Sequence, residues 1–210
     1  RALNILMVPL SVDALRVTAP RRIMGPLARV DRLPWSDAQR SHNPDMPWLG
    51  QALEAPPFSE PDTILTPGMH LHWTLPDGLA RGRTAQDFPI APDRWYVARK
   101  GAAWVVESDF ADPGSRAVGQ AQTLIPQSTG PGQPPWRVQG RQLTFDAWQA
   151  APDAARVPPT AMGYGEPLFA AFYPSCRGLF GIYDPAPPDG EVTYEIFGWY
   201  SHTHEDPLAP

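Results

Sequence analysis

The chain is poor in several residue types, and each shortage excludes a class of protein. Cys176 is the only cysteine of the 210 residues, so no intrachain disulfide can form. No apolar run approaches the roughly 18 residues that a membrane-spanning helix requires. The apolar stretch Leu3–Leu10 is also too short for a signal sequence with a cleavage site. These absences predict a cytoplasmic protein without a membrane span or a disulfide framework.

The basic residues are almost all arginine. Lys100 is the only lysine, and the formal net charge is −5. Binding to nucleic acid requires a basic face, so this charge argues against nucleic acid as a partner. The abundance of Ala, Pro, Gly and Arg, with asparagine only at Asn4 and Asn43, indicates a GC-rich bacterial genome.

Proline and the aromatic residues are plentiful and indicate the fold class. The 28 prolines lie along the whole chain, and proline is excluded from helix interiors and central strands. The 8 tryptophans, 8 phenylalanines and 6 tyrosines argue against disorder. We therefore expect a mainly β protein, an antiparallel sandwich or open barrel with one or two short helices and long proline-rich loops. We expect residues 1–210 to form a single β-rich domain, the N-terminal part of a longer protein.

Three segments have the pattern of β-hairpins. Aromatic and β-branched runs flank Lys100-Gly101, which predicts a hairpin over 94–107. A second hairpin is predicted over 136–145 with its turn at Gln139-Gly140. A third is predicted from strands at 179–183 and 191–200, with 184–190 as the turn.

Other segments predict isolated elements. Strands are expected at Leu3–Pro9 and Ala14–Thr18, and a short helix at Ala147–Ala155. Thr63–Leu75 reads as a strand interrupted at Pro67-Gly68.

Four of the five histidines form two H-x-H pairs, which is the arrangement most suggestive of chemistry. They are His70 and His72, and His202 and His204. In a strand, residues two apart share a face, so each pair can offer two imidazoles to zinc or another transition metal. Glu205 or Asp206 can add an oxygen ligand.

A site shared by both pairs requires strand 191–200 to lie beside strand 69–75. The alternative is structural: His70 and His72 line one face of a strand, while Leu71 and Trp73 pack in the core on the other.

For three other sets of residues, a structural role competes with a functional one. Cys176 lacks a surrounding hydrolase signature, so a buried structural thiol is expected. Glu107 and Asp109 share a face but have no evident partner, which favours a solvated strand end over a catalytic pair. Trp35 and Trp48 lie in loop-like sequence, where exposed aromatic rings can bind a partner protein or a sugar.

Several segments together resemble those of a known sequence family. They are Val8-Pro-Leu-Ser-Val-Asp-Ala-Leu15, His70-Leu-His-Trp-Thr-Leu-Pro-Asp-Gly78, Pro92–Val97 and Phe197-Gly-Trp-Tyr-Ser201. This pattern resembles the N-terminal region of large uncharacterised bacterial proteins with PxxVxAL, HLHWxLP and GWYS segments. The resemblance implies a bacterial source and a chain that continues past Pro210. It implies no activity, cofactor or catalytic residue.

These observations favour a non-catalytic structural or interaction module of a larger bacterial multidomain protein or assembly. Its partners would be other protein domains or subunits, because proline-stiffened loops lose less entropy on binding. One alternative is a metal-binding domain, with or without metal-dependent catalysis, built on the two H-x-H pairs. Another is carbohydrate binding through the loop tryptophans.

Overall fold

The structure, a computed structural model, is built mainly from short antiparallel strands. It describes residues 8–23, 63–82, 88–111, 123–126, 136–152, 154–160 and 176–207. In chain order the elements are β1 (Ser11–Val17), β2 (Arg21–Ile23), β3 (Thr63–Leu65), β4 (Gly68–Thr74), β5 (Arg94–Arg99), β6 (Ala102–Ala111), β7 (Thr123–Pro126), β8 (Trp136–Thr144), the α-helix α1 (Phe145–Gln149), β9 (Gly181–Asp184) and β10 (Glu195–Trp199). The predicted mainly β, antiparallel fold class is confirmed.

The strands form two principal sheets and one small ribbon. The first sheet has the order β1-β4-β9, and the second has the order β10-β5-β6-β8-β7. Strands β2 and β3 pair separately. No helix in the described part of the chain is long and apolar enough to cross a membrane.

The core lies between the inner faces of the two principal sheets. Met69, Leu71 and Trp73 of β4 belong to one buried cluster with Trp95 and Val97 of β5. The rings of Trp73 and Trp95 meet across the sheets with centroids 5.3 Å apart. The prediction that Leu71 and Trp73 lie in the core is confirmed, since each is only 1% exposed.

Two local predictions from turn chemistry are also confirmed. Strands β5 and β6 pair as a hairpin around Lys100-Gly101, and Gly101 has the positive φ of 82° that this tight turn requires. The strand predicted at 63–75 is divided at Pro67 into β3 and β4.

The predicted hairpin at Gln139-Gly140 is wrong, because β8 runs unbroken from Trp136 to Thr144. Gly140 does have a positive φ of 75°, but it lies beside a shift in the β6–β8 register. A Cβ atom at Gly140 would stand 2.2 Å from the carbonyl oxygen of Gly178. The glycine therefore allows a close backbone approach and an irregularity in the strand rather than a turn.

The third predicted hairpin is also wrong, because β9 and β10 belong to different sheets. The connecting segment crosses from one sheet to the other and is organised by buried Asp184. This carboxylate accepts hydrogen bonds from Arg99, the Tyr194 hydroxyl and the Ala186 amide. Burial alone would raise the pKa of Asp184, but these donors outweigh it and lower the pKa below its usual value.

The predicted helix is shorter and begins earlier than expected. Helix α1 covers Phe145–Gln149, and the Thr144 hydroxyl caps it by accepting from the Ala147 amide at 3.3 Å. The strand expected at Ala14–Thr18 is β1, at Ser11–Val17. Of the strand expected at Leu3–Pro9, Val8 and Pro9 lie outside any strand, and the rest falls outside the described residues.

Candidate functional site

A row of charged side chains crosses the outer face of the five-stranded sheet. Arg94, Glu107 and Arg141 are direct cross-strand neighbours on β5, β6 and β8. Glu107 accepts from Arg141 Nε, lies 3.7 Å from Arg94 Nε, and accepts from the indole N–H of Trp148 at 3.1 Å. Helix α1 places Trp148 over this row. The carboxylate therefore has three partners on one side of the sheet.

A second carboxylate on the same face extends the row. Asp109 is 1% exposed and lies between two guanidinium groups, Nη1 of Arg94 and Nε of Arg156. Arg156 Nη2 also donates to fully buried Asp93 at 2.5 Å. Burial by itself lowers the pKa of Arg156, but the bond to Asp109 and the nearby carboxylates raise it overall. Arg156 therefore stays charged and neutralises two buried acids.

The segment that follows β10 is anchored to the same charges. The Ser201 amide donates to Asp93 Oδ1 at 2.7 Å, and the Ser201 hydroxyl donates to Oδ2 at 2.5 Å. Arg156 Nη1 lies 2.6 Å from Nδ1 of His202, and Nη2 lies 3.5 Å from a Glu205 carboxylate oxygen. Because a guanidinium can only donate, a ring nitrogen of His202 is the acceptor in this contact. Residues 201–205 thus close one end of the charged row.

The prediction of a solvated strand end at Glu107 and Asp109 is wrong. Glu107 is 7% exposed and Asp109 is 1% exposed, and both are paired with arginine. The partner of Asp109 that sequence analysis did not identify is Arg156, which follows β8 and α1 and pairs with Phe110 in an isolated β-bridge. Long-range pairing of this kind has no local sequence pattern.

The predicted strand pairing that would bring both histidine pairs into one site is wrong. Strand β10 pairs with β5, whereas β4 pairs with β1 and β9 in the other sheet. His70 is buried, and its ring stacks on the ring of Tyr183. Its Nε2 atom lies 2.9 Å from the Thr66 carbonyl oxygen. His72 is half-buried on that same outer face of β4. The structure therefore places this pair away from the core, within its own sheet.

One histidine of the second pair does join a group with metal-ligating side chains. Within the described ranges the group consists of Asp93, His202 and Glu205, with ligand atoms within 4.8 Å of one another. The guanidinium of Arg156 contacts all three and supplies the positive charge there. The ring of His204 lies 5.6 Å from that of His202 but is exposed. This arrangement does not favour a metal ion, and metal binding by either H-x-H pair stays a prediction.

The first histidine pair predicts a loss of stability in mild acid. Desolvation lowers the pKa of both His70 and His72 below 6.5, so the folded state binds protons less readily than the unfolded state. The contribution of these two histidines to the free energy of unfolding is fully present above pH 6.5 and decreases as the pH falls through their folded-state pKa values. We expect the melting temperature to fall between pH 7 and pH 5.5. A His70→Asn/His72→Asn variant should show a smaller fall, and an equal fall would contradict the assignment.

Cys176 is a structural thiol, as predicted. It is 1% exposed, and burial raises its pKa to about 12, so very little thiolate exists at neutral pH. Trp35 and Trp48, the predicted partner-binding aromatics, lie outside the described residues.

Comparison with protein-family models, with curated proteins and with solved structures gives no match for this chain. The case for a function therefore depends on the geometry of the molecule itself.

Proposed function

We propose that this chain is a non-catalytic interaction module of a larger cytoplasmic bacterial protein, and that it binds an extended segment of a partner polypeptide along β10. The observation that carries the proposal is the exposure of this edge strand. Phe197 is 55% exposed and Trp199 is 37% exposed, although both are large aromatic residues on a sheet edge. Exposed apolar edge strands are natural templates for strand addition.

The backbone of β10 is available on its outer side. Its five residues pair with β5 in continuous register from Glu195↔Ala98 to Trp199↔Arg94. In the part of the chain that the structure describes, no other hydrogen bond reaches the backbone of residues 195–199. A partner strand can therefore bind the remaining N–H and C=O groups of β10 without displacing anything described.

Two other edge strands, β9 and β1, carry features that β10 lacks. The outer edge of β9 is covered by the side-chain amide of Gln142, which accepts from the Tyr183 amide at 2.9 Å and donates to its carbonyl at 2.8 Å. Strand β1 is exposed but carries Asp13 and Arg16, and such charges discourage edge-to-edge pairing. In β10 the only charge is at Glu195, its first residue.

The aromatic face beside β10 is held rigidly. Phe197 is the cross-strand neighbour of Tyr96, whose ring meets Phe145 edge to face at 5.7 Å. Trp199 meets Trp148 of α1 edge to face at 6.3 Å. Because these rings already pack against neighbouring rings, their side chains lose little additional entropy when a partner binds.

A library of random 12-residue peptides displayed on phage tests the proposal. We expect selection on the folded protein to enrich extended, apolar-alternating peptides. Phe197→Lys should abolish their binding, because it adds a charge to the edge strand. The matched control is Ile64→Lys, which places the same charge at a 65%-exposed apolar position of β3.

Three results would contradict the proposal: no enrichment on wild-type protein, equal losses in the two lysine variants, or no loss in either. The carbohydrate alternative rests on Trp35 and Trp48, outside the described residues, and stays a prediction.

A further inference from the structure

A cleft beside the charged row has the properties of a ligand site. Its volume is about 740 Å³, and its wall includes Arg94, Glu107, Arg141, Trp148 and Arg156. Small-molecule sites usually measure about 300–1,000 Å³ and combine apolar walls with a few polar groups. The cleft lies on the outer face of the five-stranded sheet and is distinct from the outer edge of β10.

The cleft brings three arginines together in a chain whose formal net charge is −5. Among the described residues, Glu107 and Asp109 also line it, and Arg156 contacts Asp93 and Glu205 as well, so this group of side chains has no net positive charge. Both lining carboxylates are already engaged by arginine. An anion entering the cleft therefore meets donors rather than free acids.

Two of the arginines retain hydrogen-bond donors that the described protein does not use. Arg141 bonds Glu107 through Nε, and neither of its Nη atoms has a hydrogen-bond partner among the described residues. Arg94 donates through Nη1 to the backbone carbonyl oxygen of Asp93 and to the Asp109 carboxylate. Its Nη2 likewise has no hydrogen-bond partner among the described residues. The two residues flank Glu107 on adjacent strands, so these donors lie on the same side of the sheet.

The aromatic walls orient one of these donors. The guanidinium of Arg141 lies over the ring of Phe110, 4.3 Å from its centroid. A stacked guanidinium keeps its N–H groups in the plane of the fork, which is the geometry that a carboxylate accepts in a bidentate manner. Trp148, fixed by its bond to Glu107, supplies an apolar wall.

From these contacts we infer that the cleft binds a small organic carboxylate, held by the free edges of Arg141 and Arg94 with its apolar body between Phe110 and Trp148. The planar fork of Arg141 and the aromatic walls favour a carboxylate with a flat or hydrophobic body over a simple inorganic anion. This site shares Trp148 with the aromatic face beside β10 but uses none of the backbone groups of β10.

Benzoate is a suitable probe, with benzamide as its uncharged isostere. Titration into ¹⁵N-labelled protein, monitored at the Trp148 indole N–H and the arginine Nε–H resonances, should give saturable shifts with benzoate and none with benzamide. Arg141→Lys keeps the charge but removes the fork, and we expect it to weaken binding about tenfold. Arg81→Gln, at an exposed arginine outside the cleft, should bind as wild type does.

The controls separate a built site from general charge attraction. If Arg141→Lys is unfolded in a thermal melt, Phe110→Leu takes its place, because it removes the ring under the guanidinium but preserves every ion pair. The inference is supported if benzoate binds saturably and if Arg141→Lys or Phe110→Leu weakens this binding. Absence of saturable benzoate shifts, equal shifts with benzamide, or equal binding by the wild-type and cleft variants overturns it.

Discussion

Replacement of Trp73 by alanine should destabilise the protein by about 3–5 kcal/mol, the usual cost of truncating a buried tryptophan. Trp73 is 1% exposed and packs against Trp95 at the centre of the contact between the two sheets. The expected result is a large decrease in the free energy of unfolding in urea, without a change in the far-ultraviolet circular dichroism of the remaining folded protein.

Two variants serve as controls for this loss. Trp73→Phe should cost much less, because the buried indole N–H of Trp73 has no hydrogen-bond partner among the described residues and its removal relieves that penalty. Trp199→Ala deletes the same side chain at a position that is 37% exposed, and should also cost much less. If Trp73→Ala and Trp199→Ala cost the same, Trp73 is not the centre of the core.

Loss of Arg156 should be similarly damaging, although the residue is not in the hydrophobic core. Arg156→Gln removes the guanidinium nearest to Asp93, which keeps only the longer 3.4 Å contact with Arg94, and it also leaves Asp109 with Arg94 as its one described guanidinium partner. Both acids are almost fully buried. Breaking a buried ion pair on one side costs about 3–5 kcal/mol, because the other charge stays buried and uncompensated. Urea unfolding at pH 7 measures this cost.

A double-mutant cycle distinguishes ion pairing from packing. Asp109→Asn should reduce the cost of Arg156→Gln, because the pair then loses both charges together. Arg81→Gln removes an exposed arginine and should change stability by less than about 0.5 kcal/mol. Strict additivity of Arg156→Gln and Asp109→Asn would contradict the role assigned to the buried charges.

The features that sequence analysis predicted correctly depend on local chemistry. The Lys100-Gly101 hairpin follows from a glycine between two runs of strand-forming residues. The burial of Leu71 and Trp73 follows from strict alternation with His70 and His72. The same turn places Arg94 opposite Glu107, which is the observed register, although the sequence analysis did not predict this ion pair.

The features that it missed depend on contacts between distant residues. Gly140 resembles a turn glycine, but its positive φ allows a close backbone approach to Gly178. No local sequence pattern indicates that contact. The glycine and proline content of 184–190 resembles a hairpin turn, yet Arg99 and Tyr194 hold Asp184 in a crossover between sheets. Arg156 became part of the site only through the tertiary fold.

Backbone hydrogen exchange at β10 tests the central claim most directly. In the free protein, we expect the outward-facing amides of residues 195–199 to exchange rapidly, because β5 is the only described strand that pairs with β10. On addition of a peptide selected from the phage library, those amides should become protected, while the amides of the charged edge strand β1 stay unchanged. Protection at β1 with no change at β10, or no protection at either strand, would contradict the account.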